Sequence, residues 1–226
     1  DQPSIIEVKS VIGFGSALAG KSASHGAPLG VEETDKMRKR MNHPFKEFEA
    51  SSEIYEDFKT NTTERSNKVY DVWHKMWNSY QKAYPQLAKE LEAIMNGTLS
   101  LDFDKVLPTQ PIGTVEASRV SGGKAITAIS NNLVSFIGGS ADLTKSTKAK
   151  GINGDFHVTN PTGRNINFGV REHAMAAMVN GMTLHGLKAF SGAFFVFADY
   201  LKPAVRMAAI MGLPSIYIFS HDSVSV

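Results

Sequence analysis

The sequence predicts an α/β protein in which parallel sheets are flanked by helices and which contains two incomplete domains. From residue 117 onwards, short apolar runs with the composition of strands alternate with longer helical segments, as in βαβ units. Residues 5–12 are rich in β-branched side chains and predict a further buried strand. Residues 96–113 contain two prolines and two glycines without helical periodicity, which is typical of a linker. We therefore expect one domain over residues 1–107 and a second over residues 108–226.

The first domain is expected to be mostly helical after its strand, over residues 32–96. One helix there carries an apolar stripe at steps of three and four, which we interpret as core packing. Its members are Val69, Trp73, Met76, Trp77 and Tyr80. A second helix begins at Pro85 and is stopped by Gly97, since proline favours the first position of a helix and glycine the position after its end.

The second domain is expected to contain three helices, over residues 117–131, 171–185 and 194–211, and three short strands, over residues 133–137, 188–190 and 215–220. Gly138 and Gly139 follow the first of these strands and would let the backbone approach a ligand closely. Ligand sites of open parallel sheets gather at the carboxyl ends of strands. We expect the strands of the two domains to form two sheets, each incomplete.

Composition excludes several classes of function. The chain has 226 residues and a formal net charge of +2, which is too small to indicate nucleic-acid binding. Cysteine is absent, so the sequence offers no disulfide framework and no thiolate chemistry. No apolar run approaches the roughly 20 residues that a transmembrane helix needs. We expect a cytoplasmic protein that binds neither membrane nor nucleic acid.

One carboxylate, Glu172, stands at the start of an apolar helix, after Gly169-Val170-Arg171. By itself, an acid in a first helical turn is common, because it interacts favourably with the helix dipole. Three aromatic residues follow it along the chain at a spacing of three, which would place them along one side of a helix. They are Phe194, Phe197 and Tyr200. Such a stripe is usually core, but it could also stack on a flat heterocycle while the acid addresses a ring nitrogen.

Four polar side chains lie near predicted strand ends or helix starts, and each also has an ordinary structural interpretation. They are Asp142 and Ser146 after the first strand of the second domain, Arg119 on its first helix and His221 after its last strand. A lone arginine on a helix is usually solvated, although its charged fork suits a phosphate. In the first domain, His25 stands between a serine and a glycine, where an exposed loop residue is common.

Taken together, these segments resemble transketolases, which depend on thiamine diphosphate. The segment Asn165-Ile-Asn-Phe-Gly-Val-Arg-Glu-His-Ala-Met175 is similar to the one that carries their catalytic glutamate, and residues 192–200 resemble their aminopyrimidine pocket. The resemblance runs over the whole chain in the family's order. It implies a thiamine diphosphate-binding fold, with residues 1–107 as the end of the diphosphate-binding domain and residues 108–226 as the start of the pyrimidine-binding domain.

The resemblance also implies roles for individual residues. Glu172 would be catalytic and give a hydrogen bond to N1′ of the aminopyrimidine, and burial would favour the uncharged carboxyl group that can donate one. The rings would line the pyrimidine, and Asp142 would lie near the cofactor. The phosphate end of the substrate would be held by Arg119, Ser146 and His221. His25 would contact both the cofactor diphosphate and the donor sugar, and it is the second predicted catalytic residue.

The implied activity is transketolase activity, the reversible transfer of a two-carbon ketol unit from a ketose phosphate such as xylulose 5-phosphate to an aldose phosphate such as ribose 5-phosphate, in the pentose phosphate pathway. The family works as a homodimer with shared active sites and a divalent metal, Mg²⁺ or Ca²⁺. No residue of this chain is predicted to bind that metal, because the Gly-Asp-Gly motif is missing. Two alternatives remain open: another ketol-transferring thiamine enzyme such as a dihydroxyacetone synthase, and a non-catalytic regulatory or scaffolding piece.

The ends of the sequence suggest a fragment. Asp1 precedes an apolar run without a methionine, and Val226 comes soon after the last predicted strand. We expect this piece alone to be inactive and poorly soluble, because exposed strand edges and apolar faces favour association. Both end residues lie outside the part of the chain that the structure describes.

Overall fold

The computed structural model of the protein describes residues 4–222. All four strands in these residues lie in the second half of the chain. The chain divides into two units, Asp1–Trp77 and Asn78–Val226, and the division falls within one long helix. Each unit is described separately.

The first unit is helical. It contains a 3₁₀ turn at Ser22–Ser24, α1 at Val31–Arg40, α2 at Ser52–Phe58, a π-helical turn at Lys59–Glu64 and the start of α3 at Arg65–Ala83. Acidic residues in the first turn of α1 and basic residues in its last turn match the helix dipole. The hydroxyl of Ser51 accepts the backbone N–H of Ile54 at 3.2 Å and caps α2.

The predicted strand over residues 5–12 is wrong. These residues form no strand, and Ile5 is 97% exposed. A strand is held by ladder hydrogen bonds to a neighbour, and all strands in residues 4–222 belong to a sheet of the second unit. The expectation of two sheets is wrong for the same reason, because the described residues form a single sheet.

The predicted core packing of the stripe on α3 is also wrong for its first three members. Val69 is 67% exposed and Met76 is 61% exposed, and Trp73 is exposed as well. The indole rings of Trp73 and Trp77 stack along the helix with centroids 6.1 Å apart. Periodicity identifies an apolar face, but it does not supply the element that covers it.

The second unit alternates helices and strands. Its elements are α4 (Pro85–Met95), α5 (Phe103–Val106), α6 (Ser118–Asn132), β1 (Phe136–Ser140), α7 (Thr144–Thr147), β2 (Asn165–Asn167), α8 (Glu172–Leu184), β3 (Lys188–Phe194), a 3₁₀ turn (Phe195–Phe197), α9 (Ala198–Ile210) and β4 (Ile216–Ser220). The four strands are parallel, in the order β2-β1-β3-β4. The predicted α/β class with a parallel sheet flanked by helices is therefore confirmed. Pro85 begins α4 and Gly97 follows its end, as predicted.

Helices cover both faces of this sheet. The larger apolar cluster joins α8 and α9 to one face through residues that include Met175, Val179 and Leu201. The smaller cluster places Ile126 of α6 on the other face, against Phe190. The packing fixes the sheet, and with it the loops that leave the carboxyl ends of its strands.

Strand β1 begins at Phe136 rather than at Leu133, and Gly138 and Gly139 lie inside it rather than after it. A Cβ atom on Gly138 would stand 2.1 Å from the carbonyl oxygen of Phe190 on β3. A Cβ atom on Gly139 would stand 1.9 Å from that of Ile166 on β2. The two glycines therefore allow close strand contacts, not the ligand approach that the sequence suggested.

Candidate functional site

Loops that leave three of the strands meet at the carboxyl edge of the sheet and form a pocket of about 490 Å³. The segment after β1, the segment after β2 and the residues after β3 all contribute to it. Its lining residues are Ala141, Asp142, Leu143, Val170, Glu172, Phe197 and Tyr200. After β1 the chain continues to β2 on one side, whereas after the adjacent strand β3 it continues to β4 on the other side, so the chain leaves these two strands in opposite directions. This is the switch point at which open parallel sheets bind ligands.

Glu172 is the buried acid of this pocket. It is the first residue of α8 and only 8% exposed. Among residues 4–222, its carboxyl group forms neither a hydrogen bond nor an ion pair. Arg171 precedes it as an exposed N-cap residue with an extended φ of −156°. A buried carboxyl group without a protein partner is available to a ligand in the pocket.

The three aromatic residues lie on three different elements, so the prediction that they follow one helix is wrong. Phe194 ends β3, Phe197 ends the 3₁₀ turn and Tyr200 lies in the first turn of α9. Their rings nevertheless form a row. The centroids of Phe194 and Phe197 are 6.0 Å apart at 8°, and those of Phe197 and Tyr200 are 6.2 Å apart at 25°. The structure thus brings Phe197 and Tyr200 into the pocket with Glu172, while Phe194 extends the row away from it.

Arg119 and His221 meet although 102 positions separate them in the sequence. Arg119 Nη1 lies 2.5 Å from His221 Nε2, and His221 Nδ1 lies 2.9 Å from the hydroxyl oxygen of Ser220. Arginine can only donate, so Nε2 accepts and Nδ1 donates to the serine. The imidazole also contacts Phe194, with ring centroids 3.9 Å apart. A cation and an imidazole therefore stand next to the aromatic row.

Asp142 and Ser146 lie on the segment that leaves β1. Asp142 lines the pocket and has a left-handed backbone with φ of 59°. Ser146 is half-buried on α7, and its backbone N–H donates to the carbonyl oxygen of Leu143 at 3.0 Å. Within the described residues, no hydrogen bond joins Ser146 to Arg119 or His221.

His25 belongs to the first unit. It follows the 3₁₀ turn at Ser22–Ser24, and its backbone N–H donates to the carbonyl oxygen of Ser22 at 2.9 Å. Its side chain is exposed. The roles predicted for His25 in catalysis and binding stay predictions.

The pocket suits a flat heterocycle better than a metal ion. Glu172 offers one unpaired carboxyl group, and the rings of Phe197 and Tyr200 offer stacking surfaces. No group of three or more histidine, aspartate or glutamate side chains in residues 4–222 is arranged to hold a metal ion. None of the helices in the same residues combines the length and the apolar character that crossing a bilayer requires.

Three further pocket residues, Ala141, Leu143 and Val170, were not singled out from the sequence. They stand close to Asp142 and Glu172 along the chain and provide apolar walls. All three lie inside the motifs from which the site was predicted, so their position near a predicted site residue was the available signal.

Comparisons with known proteins agree with this geometry. The family model described as "Transketolase, thiamine diphosphate binding domain" matches residues 1–100, and "Transketolase, pyrimidine binding domain" matches residues 116–226. The transketolase of Bacillus subtilis is 45% identical over 229 residues, which cover 100% of this chain and 34% of that protein. The probable transketolase of Streptococcus pneumoniae is 43% identical and is covered to 35%. The chain thus spans about a third of the length of these relatives.

Solved structures give the same result. The transketolase from Leishmania mexicana matches with a TM-score of 0.79 and 33% identity, over 95% of this chain and 32% of that one. A transketolase from Pichia stipitis in complex with sedoheptulose 7-phosphate matches with a TM-score of 0.77 and 32% identity, over 94% of this chain and 33% of that one. The sheet, its switch-point pocket and these matches define a protein with the thiamine diphosphate-binding fold. Within that class, the chain belongs to the transketolase family, whose members are transferases.

Proposed function

We propose that residues 1–226 are part of a transketolase that reversibly moves a two-carbon ketol unit from a ketose phosphate of the xylulose 5-phosphate type to an aldose phosphate of the ribose 5-phosphate type. This reaction would place the protein in the pentose phosphate pathway. The observation that carries the proposal is the unpaired carboxyl group of Glu172, a buried residue that lines a pocket together with Phe197 and Tyr200. The family assignment supports it.

Glu172 would hold a proton on its carboxyl group and donate it as a hydrogen bond to N1′ of the pyrimidine ring of thiamine diphosphate. When bound, the coenzyme supplies the electron sink that stabilises the transferred two-carbon unit as a carbanion. Phe197 and Tyr200 would orient the pyrimidine and exclude water, and Phe194 would support their row. Asp142 would line the same cofactor site.

Arg119 and His221 would bind the phosphate end of the substrate. Arg119 places a positive charge and its remaining N–H groups beside the aromatic row, where an anion is attracted. Ser146 would add a hydroxyl group from α7. His25 would contact both the donor sugar and the diphosphate of the coenzyme.

The remaining parts of the active site would come from outside these residues. We propose that residues 1–107 belong to the diphosphate-binding domain and residues 108–226 to the pyrimidine-binding domain; the two matched segments flank this boundary. The Mg²⁺ or Ca²⁺ ligands would lie outside this chain. The enzyme would be a cytoplasmic homodimer with shared active sites. This piece alone would be inactive, because those metal ligands would be missing.

Replacing Glu172 tests the proposal in the longest form of the protein that contains this chain. Glu172→Gln and Glu172→Ala should lower kcat by about 10²–10⁴-fold, because a positioned proton donor contributes about that much. Ketol transfer is measured with a ketose phosphate donor and ribose 5-phosphate, and coenzyme binding is measured separately. Glu90→Gln, on the exposed side of α4, is the matched control and should leave the rate unchanged.

Unchanged turnover in both Glu172 variants would contradict the proposed role, and an inactive parent protein would favour the non-catalytic alternative. A dihydroxyacetone synthase is tested with the same donor by comparing formaldehyde with ribose 5-phosphate as acceptor. Faster transfer to formaldehyde than to ribose 5-phosphate would show the activity of a dihydroxyacetone synthase rather than that of a transketolase.

A further inference from the structure

Thr147 is the last residue of α7 and follows Ser146 directly, and its side chain is buried. Its hydroxyl group donates to the carbonyl oxygen of Leu143 at 3.0 Å. The hydroxyl oxygen of Thr147 in turn accepts the backbone N–H of Ala149 at 3.2 Å. One side chain therefore ties the residue before α7 to the residues after it.

The same hydroxyl group also docks α7 on the sheet. Thr147 Oγ1 lies 3.5 Å from Ser140 Oγ on β1, and Ser140 Oγ donates to the carbonyl oxygen of Gly192 on β3 at 2.7 Å. A Cβ atom on Gly192 would stand 2.3 Å from the Cβ atom of Ala149. Glycine at this point lets the segment after α7 lie directly on β3. Thr147 Oγ1 therefore contacts β1 through Ser140 Oγ, which is itself hydrogen-bonded to β3.

The backbone around α7 needs such a restraint. Asp142 before the helix and Lys148 after it both have left-handed conformations, with φ of 59° and 60°. Residues other than glycine keep this conformation only where the surrounding structure holds them in it. Thr147 lies between these two points and is anchored on both sides of α7.

We propose that Thr147 is a positioning residue that sets where Ser146 and Asp142 stand at the carboxyl edge of the sheet, and so controls recognition of the phosphate end of the substrate. This inference rests on the proposed function, because it takes Ser146 as a ligand of the substrate phosphate. Thr147 is 2% exposed and acts through Ser146, without touching the substrate itself.

The test compares Thr147→Val, which removes the hydroxyl group at nearly constant volume, with Thr147→Ser, which retains it. Both are made in the longest form of the protein that contains this chain. Steady-state kinetics are measured with a ketose phosphate and with the same ketose lacking its phosphate. Thr147→Val should raise KM for the ketose phosphate by about tenfold to a hundredfold, the cost expected of a misplaced binding group, with little change for the unphosphorylated ketose. Thr147→Ser should restore the KM of the parent protein.

Thr183→Val is the matched control, since Thr183 is also buried and its hydroxyl oxygen accepts from Ser215 Oγ at 3.3 Å, but on α8. It should lower Tm without changing the ratio of the two KM values. Ser140→Ala removes the other hydroxyl group of the link and should shift the ratio in the same direction as Thr147→Val, which keeps the inference testable if Thr147→Val does not fold.

An unchanged KM ratio in Thr147→Val, or in Ser140→Ala where only that variant folds, would overturn the inference while leaving the proposed function intact. An equal shift in Thr183→Val would also overturn it. Absence of ketol transfer in the parent protein would instead overturn the proposed function, and this inference with it.

Discussion

Arg164 shows how a single charged side chain can serve the fold rather than the site. Its guanidinium group donates to the carbonyl oxygens of Ser130, Leu133 and Val134 at 2.7, 2.8 and 3.2 Å. These carbonyl groups lie at the end of α6 and just beyond it, where helical partners are lacking. Burial lowers the pKa of Arg164, although an arginine remains charged in proteins.

We expect Arg164→Met to destabilise the protein by about 1–3 kcal/mol, because partly buried acceptors lose their donor. Urea unfolding measures the change. Arg206→Met, at an exposed position of α9, should alter stability by less than about 0.5 kcal/mol. Equal effects of the two substitutions would show that the three carbonyl contacts do not stabilise the fold.

The environment of Asp155 predicts how the stability of the fold changes at low pH. Hydrogen bonds lower the pKa of the Asp155 carboxyl group below the ordinary value of 3.8. The largest effect comes from the amide group of Asn165 and the next from that of Asn167. A carboxyl group with a depressed pKa in the folded state stabilises the protein above its unfolded pKa, and this contribution is lost as pH falls through the folded pKa. The parent protein should therefore lose stability more steeply below pH 3.8 than Asp155→Asn does. Parallel Tm curves for the two proteins over that range would contradict this.

Some contacts of individual residues could not be predicted from the sequence. Arg119 and His221 were grouped only through the family resemblance, since no local pattern joins residues 102 positions apart. The sequence gives no sign that Thr147 is buried, because a threonine beside a serine occurs in either environment. The contact of its hydroxyl group with Ser140 on β1 becomes visible only once the strands are placed.

At the scale of elements, prediction succeeded where local signals mark both ends. Helices α6 and α8 and strand β4 begin and end within one residue of the expected limits. Prediction failed where a neighbouring strand decides which residues an element contains. Strand β1 starts later than predicted and includes its two glycines, because the neighbouring strands approach them too closely for a side chain. Strand β3 continues past its predicted end to Phe194, so the aromatic row is divided between a strand, a turn and a helix.

Two glycines with opposite surroundings test this view of β1. Gly138→Ala should destabilise the protein strongly, since its Cβ atom would collide with the carbonyl oxygen of Phe190. Gly122→Ala, in the interior of α6 with nothing within 4 Å, should stabilise it by roughly 0.5–1 kcal/mol. Thermal unfolding compares the two variants. Similar effects of both substitutions would contradict the close strand packing.

At the scale of the whole chain, the exposed apolar face of α3 has a measurable effect. Residues 1–226 produced alone should bind a hydrophobic dye and self-associate, because contiguous apolar surface promotes association. Val69→Lys with Met76→Lys should reduce both signals, whereas Lys68→Gln, an exposed neighbour, should not. Light scattering and dye fluorescence provide the measurements. A monodisperse, dye-free parent chain would contradict this expectation.

The imidazole of His221 contacts a guanidinium group through one nitrogen, a serine hydroxyl group through the other, and an aromatic ring. Any substitution there disturbs three neighbours at once, so a lowered rate would not report on substrate anchoring alone. Experiments that aim to separate the two ends of the site are better directed at Arg119 and Tyr200, which have no contact with each other in the described residues.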